Sequence, residues 1–172
     1  MEIVDAVLAW LTHQPPLQIY VAAGLLLAAE VGLLAGLVIP AASILLTLGA
    51  LASTGHLRLA PAIAVAVAAA LLGDSIGYWE GRWAGPRLRA SRLGRRIGEQ
   101  RWRRAEQAVH RAGAPAITIG RWTAYVRTLV PRVAGAAGIR YRRFLVYDAA
   151  GVLVWMPGSV LVGYLVGAAL LA

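Results

Sequence analysis

The sequence predicts an all-α integral membrane protein built from two re-entrant helical hairpins, each followed by a transmembrane helix, with short interfacial helices beside them. Three observations carry this reading. The 172 residues are 59% hydrophobic, with a mean hydropathy of +0.66, which suits a membrane domain better than a soluble one. Long apolar stretches are interrupted by proline where neither one span nor two fits their length. And Arg121, Arg127 and Arg132 lie inside an apolar segment that runs from Ala114 to Ile139. On insertion scales each arginine costs roughly 2.5–3.5 kcal/mol at the bilayer centre, so three facing lipid approach ~10 kcal/mol. They must therefore line a polar cavity and hold something negative, or lie outside the bilayer.

Composition bounds the rest. The net charge of +9 comes from 17 arginines and no lysine, and the whole chain, 1–172, reads as one membrane domain. The absence of cysteine excludes disulfides and thiolate metal sites. His13, His56 and His110 are far apart in sequence, so neither metal nor cofactor is expected. No nucleophile–base arrangement suggests an enzyme.

Residues 1–16 carry Glu2 and Asp5 and lack the basic start and small-residue cleavage site of a signal peptide. Ile3, Ala6, Val7 and Trp10 fall at helical spacing, which predicts a short interfacial helix stopped before Pro15-Pro16. From Leu17 to Ser53 the chain is apolar except for Glu30, with a break at Pro40. A straight helix from Leu17 to Ala52 would be about 54 Å long, against a hydrocarbon core of about 30 Å. It must fold back. The turn Val38-Ile-Pro-Ala-Ala-Ser43 is apolar, unlike a turn in the headgroup layer, which favours a re-entrant hairpin with a buried tip.

Residues 61–80 form the cleanest span, and its end carries Gly73, Gly77, Gly81 and Gly85. Glycines four apart leave a bare ridge on one helix face, against which another backbone packs closely. Asp74 lies one position around from that ridge. Its plain reading is a packing residue hydrogen-bonded to a neighbour; its other reading is a ligand in a polar site.

Residues 82–112 hold ten arginines against Glu99 and Glu106. Trp102, Ala105, Val109 and Ala112 recur at helical spacing, which predicts an amphipathic helix on the membrane surface, set off by Gly94 and Gly98. So basic a block also fits nucleic-acid binding. A cytoplasmic loop under the positive-inside rule explains it with less, and no nucleic acid is expected. If residues 114–139 crossed completely, Arg140-Tyr-Arg-Arg143 would emerge outside, against the same rule. A second re-entrant hairpin, broken near Pro131, returns them to the cytoplasm. Residues 144–170 are then the last span, kinked at Pro157, and both termini lie outside.

The two halves look alike. Each has an apolar-apolar-proline break (Val38-Ile39-Pro40, Leu129-Val130-Pro131) and then a span with Asp-x-x-Gly (Asp74 to Gly77, Asp148 to Gly151). Hairpins entering from opposite faces make an inverted repeat, an arrangement of transporters whose sites lie where broken helices meet.

Four motifs in order carry a resemblance to a known family. They are Ala29-Glu30-Val-Gly32 with Pro40, Gly73-Asp74-x-x-Gly77-Tyr78-x-x-Gly81, Gly120-Arg121 with Arg127-Thr-Leu-Val-Pro131 and Ala134-Gly135, and Asp148-x-x-Gly151-x-x-x-Trp155. Over roughly residues 17–168 the sequence resembles the DedA family, prokaryotic relatives of the eukaryotic VTT-domain lipid scramblases. The resemblance implies paired re-entrant hairpins in a multi-pass protein of the bacterial inner membrane. It implies a flippase role, returning undecaprenyl phosphate across that membrane. Glu30 matches the family's first membrane acid, and Arg121 and Arg127 match its two arginines. The second acid that many members carry after the hairpin proline is missing, since Pro40 is followed by Ala41-Ala42-Ser43. Ala124 replaces a usual proline, and the sequence ends at Ala172 without a further C-terminal helix.

Arginine's planar fork suits bidentate pairing with a lipid phosphate, and broken-helix N-termini add amide donors. Substrate contacts are thus expected from Arg121, Arg127, Glu30, Asp74 and, most weakly, Arg132. The expected partners are the bilayer, a phospholipid or polyprenyl phosphate, protons and, left open, further copies of the chain. A permanent internal salt bridge between Glu30 and the arginines is the structural alternative. Other function classes are a proton-coupled exporter of small cations and a non-transporting envelope-assembly protein.

Overall fold

The computed structural model describes residues 13–32, 41–112, 117–118 and 124–171. The expected helix in residues 1–16, the hairpin tip at residues 33–40, and Arg121 lie outside these, apart from the start of the first described helix. The described regular structure is all helical: α1 Pro16–Gly32, α2 Ala41–Ser53, α3 Leu59–Ala90, α4 Arg92–Ile97, α5 Glu99–Ala112, α6 Ala124–Ala136 and α7 Tyr141–Leu171. Among them, α3 and α7 are long and apolar enough to cross a membrane. With 17, 13 and 13 residues, α1, α2 and α6 reach only about 26, 20 and 20 Å, short of a ~30 Å core.

Local chemistry sets the ends. Pro16 opens α1, where a missing N–H costs nothing, and the Pro15 carbonyl accepts the amides of Gln18 and Ile19. Gly98, at φ 88°, separates α4 from α5, and Gly138, at φ 75°, closes α6 and leads into α7. Gly94, read from sequence as a second break, lies inside α4.

Three further differences from the sequence reading have physical causes. The span α3 does not stop at Glu80 but continues to Ala90, because its glycine face stays packed against α6 as far as Gly85, beside Ala136. Pro131 does not break the second apolar segment; it lies inside α6. A proline there loses one helical bond and presses on the carbonyl four residues back. The turn survives because α6 is clamped along α3, and the Arg132 guanidinium reaches back to the Thr128 carbonyl at 2.6 Å. Finally, α5 packs on α6, and Trp102 is only 5% exposed, so this aromatic faces protein rather than the membrane surface. The last span, α7, runs on through Pro157.

Helix directions follow from the closest approaches. Tyr20 and Arg58 are hydrogen-bonded at 2.8 and 3.0 Å, Gly24 meets Val65 and Gly32 meets Gly73, so α1 runs parallel to α3 and stops partway along it. Leu46 meets Gly163 and Ser53 meets Gly167, so α2 runs parallel to α7. Gly77 meets Arg132 and Gly85 meets Ala136, so α6 also follows α3. One core joins Leu27, Leu45, Leu48, Ala66, Met156 and Val160. A second joins Tyr78, Ile117, Val130, Ala134 and Phe144. Outward lie Leu17, Leu25, Leu72, Leu153, Leu165 and Leu170, all at least 60% exposed, which leaves a broad apolar outer surface.

Candidate functional site

The site begins with the glycine ridge. A Cβ on Gly81 would overlap the carbonyl of Arg132, and one on Gly135 would overlap that of Tyr78. A Cβ on Gly73 would come within 2.8 Å of the Ala28 carbonyl. The ridge therefore serves two neighbours, α1 at Gly73 and α6 from Gly77 to Gly85, and both backbones approach α3 closely.

This closeness creates a buried slot for one cation. Arg132 is 1% exposed, and a Cβ at Gly77 would lie 3.2 Å from its Nη1. Its Nε donates to Glu80 Oε2 at 3.0 Å, and Nη2 lies 2.9 Å from the same oxygen. Nη2 also donates to the Gly32 carbonyl and Nη1 to that of Thr128, both at 2.6 Å. One guanidinium thus ties the end of α1 to α3 and α6. Asp74, fully buried on α3, adds a further carboxyl whose field acts on Arg132.

The second ion pair is Glu30 with Arg127, Oε1 to Nη2 at 3.6 Å, with side chains 7% and 14% exposed. The Ala41 amide, first in α2, donates to the Glu30 carboxyl. A carboxylate at a helix N-terminus is favoured by the unsatisfied amides and the dipole there. Ala41, the first residue of α2, is 1% exposed and so lies in the interior beside this pair.

Of the residues expected at the site, Glu30 and Arg127 meet each other, while Asp74 and Arg132 join Glu80. Arg121 lies outside the described residues. Arg132 is held by the Glu80 carboxylate and by the carbonyls of Gly32 and Thr128, so most of its donors are taken by the protein itself. Sequence reasoning missed Glu80 as its partner. The available signal was position: Glu80 directly precedes Gly81 of the ridge, and the nearby arginines outnumbered the acids given a role. Asp148, noted for its motif but assigned nothing, is 1% exposed on α7.

The basic end is also visible. A Cβ on Gly138 would lie 3.2 Å from Arg82 Nη1, so the exposed Arg140, Arg142 and Arg143 lie at the same end as Arg82. Beside them Trp79, Trp83 and Tyr141 form an aromatic group, with ring centroids 5.2 Å apart for Trp79–Trp83 and 5.7 Å for Trp79–Tyr141. Aromatics next to cations are typical of a membrane–water interface.

Comparison with known proteins identifies the family. The VTT domain family model matches residues 15–165. The chain is 37% identical over 135 residues to the uncharacterized membrane protein slr0232 of Synechocystis, covering 77% of this chain and 62% of that one. It is 32% identical over 138 residues to the inner membrane protein YqjA of Escherichia coli, covering 80% and 63%. To the inner membrane protein YghB of Escherichia coli it is 35% identical over 135 residues, covering 78% and 62%. The matched region thus spans a little over three-fifths of each of these relatives. No solved structure matches the chain. With the family match extending over nearly its whole length, the chain belongs to the VTT-domain, or DedA, family of membrane proteins.

Proposed function

We propose that this protein is a membrane transporter of the flippase type that moves an anionic lipid carrier, undecaprenyl phosphate, across the bacterial inner membrane. The observation that carries the reading is the meeting of Glu30, Arg127 and the first amide of α2 inside the bundle. A phosphate needs the two things gathered there: a cation with a planar donor fork and a helix N-terminus. Arg121 is the second fork in this reading. An arriving phosphate replaces Glu30 as the partner of Arg127, and the released carboxyl takes up a proton. No bond is made or broken in the lipid, so the activity is transport rather than catalysis.

In this reading α1 with α2, and the segment ending in α6, are re-entrant hairpins of an inverted repeat. Support comes from Tyr20 bonding to Arg58 while Gly32 stops beside Gly73, so that α1 enters and ends partway along the span. The return of Arg140–Arg143 to the end that holds Arg82 supports a cytoplasmic placement of both.

The test is transfer of labelled undecaprenyl phosphate in proteoliposomes containing wild type, Arg121→Lys, Arg127→Lys or both. Lysine keeps the charge and loses the fork, so each single variant slows transfer and the double slows it further. Monodisperse double-lysine protein working at the wild-type rate refutes the headgroup clamp. One observation favours a second reading, proton-coupled export of a small cation: Glu30, Asp74 and Asp148 are all buried. Cation flux that depends on these acids, without lipid transfer, would select it.

A further inference from the structure

We propose that the groove between α1 and α2 holds the hydrocarbon tail of the lipid whose phosphate meets Arg127; this rests on the headgroup reading above. The described helices pack tightly in two groups, joined to each other where α3 meets α7. Backbone contacts at Gly32–Gly73 and Gly81–Arg132 bind α1 and α6 to α3, and those at Gly49–Val160 and Gly163–Leu46 bind α2 to α7. Between the groups, α1 and α2 touch little. A cavity of about 220 Å³ lies on that seam. Its lining residues Ala22, Leu26 and Ser43 are exposed, so it is a groove open at the surface, and its volume exceeds the ~150 Å³ that accepts a benzene-sized ligand.

The lining gives the class of occupant. Ala22, Ala23 and Leu26 face Ser43, Thr47 and Leu48, and none of the lining side chains is charged. Such a groove suits hydrocarbon and offers nothing to neutralise a second phosphate. Its position links it to the ion pair. Leu26 lies one helical turn before Glu30, and Ser43 lies in the first turn of α2, whose Ala41 amide donates to the Glu30 carboxyl. A lipid with its phosphate at Arg127 therefore finds an uncharged groove leading away from its headgroup, opened by the small alanines of α1.

The experiment uses wild-type protein in proteoliposomes with a polyprenyl monophosphate that carries a diazirine near the head end of its tail. After irradiation, labelled peptides are mapped by mass spectrometry. Labelling is expected in residues 19–26 and 43–48, suppressed by excess unlabelled polyprenyl monophosphate but not by equal phosphatidylethanolamine. Equal labelling of Leu153, Val154 and Leu165 on α7, or equal competition by phosphatidylethanolamine, means ordinary surrounding lipid only and overturns the proposal. Ala22→Phe fills the groove from an exposed position, and transfer should slow at least tenfold. If Arg127→Lys slows transfer while folded Ala22→Phe does not, the groove fails and the headgroup reading stands. If Arg127→Lys transfers normally, the headgroup reading fails, and wild-type labelling still decides the groove. Should Ala22→Phe not fold, that labelling decides alone.

Discussion

Arg132 and Glu80, 52 residues apart in sequence, form a forked ion pair in which Nε and Nη2 both address one carboxylate oxygen, at 3.0 and 2.9 Å. The arginine is buried while Glu80 keeps a side-chain exposure of 30%. The pair also holds the Gly32 carbonyl, so it fixes the end of α1 two residues after Glu30. Arg132→Gln leaves Glu80 and two carbonyls short of donors. A loss of about 3 kcal/mol is expected, the low end for a broken buried pair because Glu80 keeps access to water. Chemical denaturation in detergent measures it. Arg132→Lys should recover only part, since an ammonium cannot reproduce the fork.

The glycine ridge makes a paired prediction. Gly81→Ala must push α6 away from α3, because the new Cβ overlaps the Arg132 carbonyl. The expected loss is at least 1–3 kcal/mol by overpacking, roughly, and it should carry the Arg132 contacts with it. Gly158→Ala on α7 meets nothing within 4 Å and should be neutral or stabilising. Melting temperatures of the two purified variants give the comparison. Equal losses would mean that α3 and α6 do not touch at Gly81.

Glu30 and Arg127 should be energetically coupled. A double-mutant cycle with Glu30→Gln and Arg127→Gln is expected to give a coupling of roughly 0.5–3 kcal/mol in stability. The same variants in the transfer assay separate a structural bridge from a working one. A bridge alone predicts that folded Glu30→Gln transfers lipid normally. The transport reading predicts slower transfer and a flatter response to pH, since the variant has no carboxyl there to take up the proton. An unchanged pH profile would reduce Glu30 to a structural partner.

Topology is testable because the chain has no cysteine of its own. Thr54 and Ala60 are exposed around the start of α3, and Ala90 and Gln100 are exposed towards the basic end. Single cysteines at the first two should react with an impermeant reagent added outside intact cells, and those at the last two should stay protected. Labelling at Ala90 in intact cells would contradict a cytoplasmic basic end.

Much of the architecture was legible because it is local. Lengths of apolar runs and the glycine period from Gly73 to Gly85 are properties of single segments, and each shows itself in neighbouring residues. A salt bridge between Glu30 and the arginines was legible as the structural alternative, because charges in apolar runs need a partner, but which arginine it meets was not. Nor were the fates of Arg132 and Pro131. Arg132 finds the Gly32 carbonyl 100 residues away, through a slot that exists only where α3 has glycines against α6. Pro131, which breaks a helix by local rules, stays within α6 because packing along α3 and the Arg132–Thr128 bond hold its turn. By itself the sequence determined which segments are apolar, which helix face is bare and which charges require burial with a partner. Only the tertiary structure decided which partner each charge took, because that depends on backbones brought into contact from distant parts of the chain.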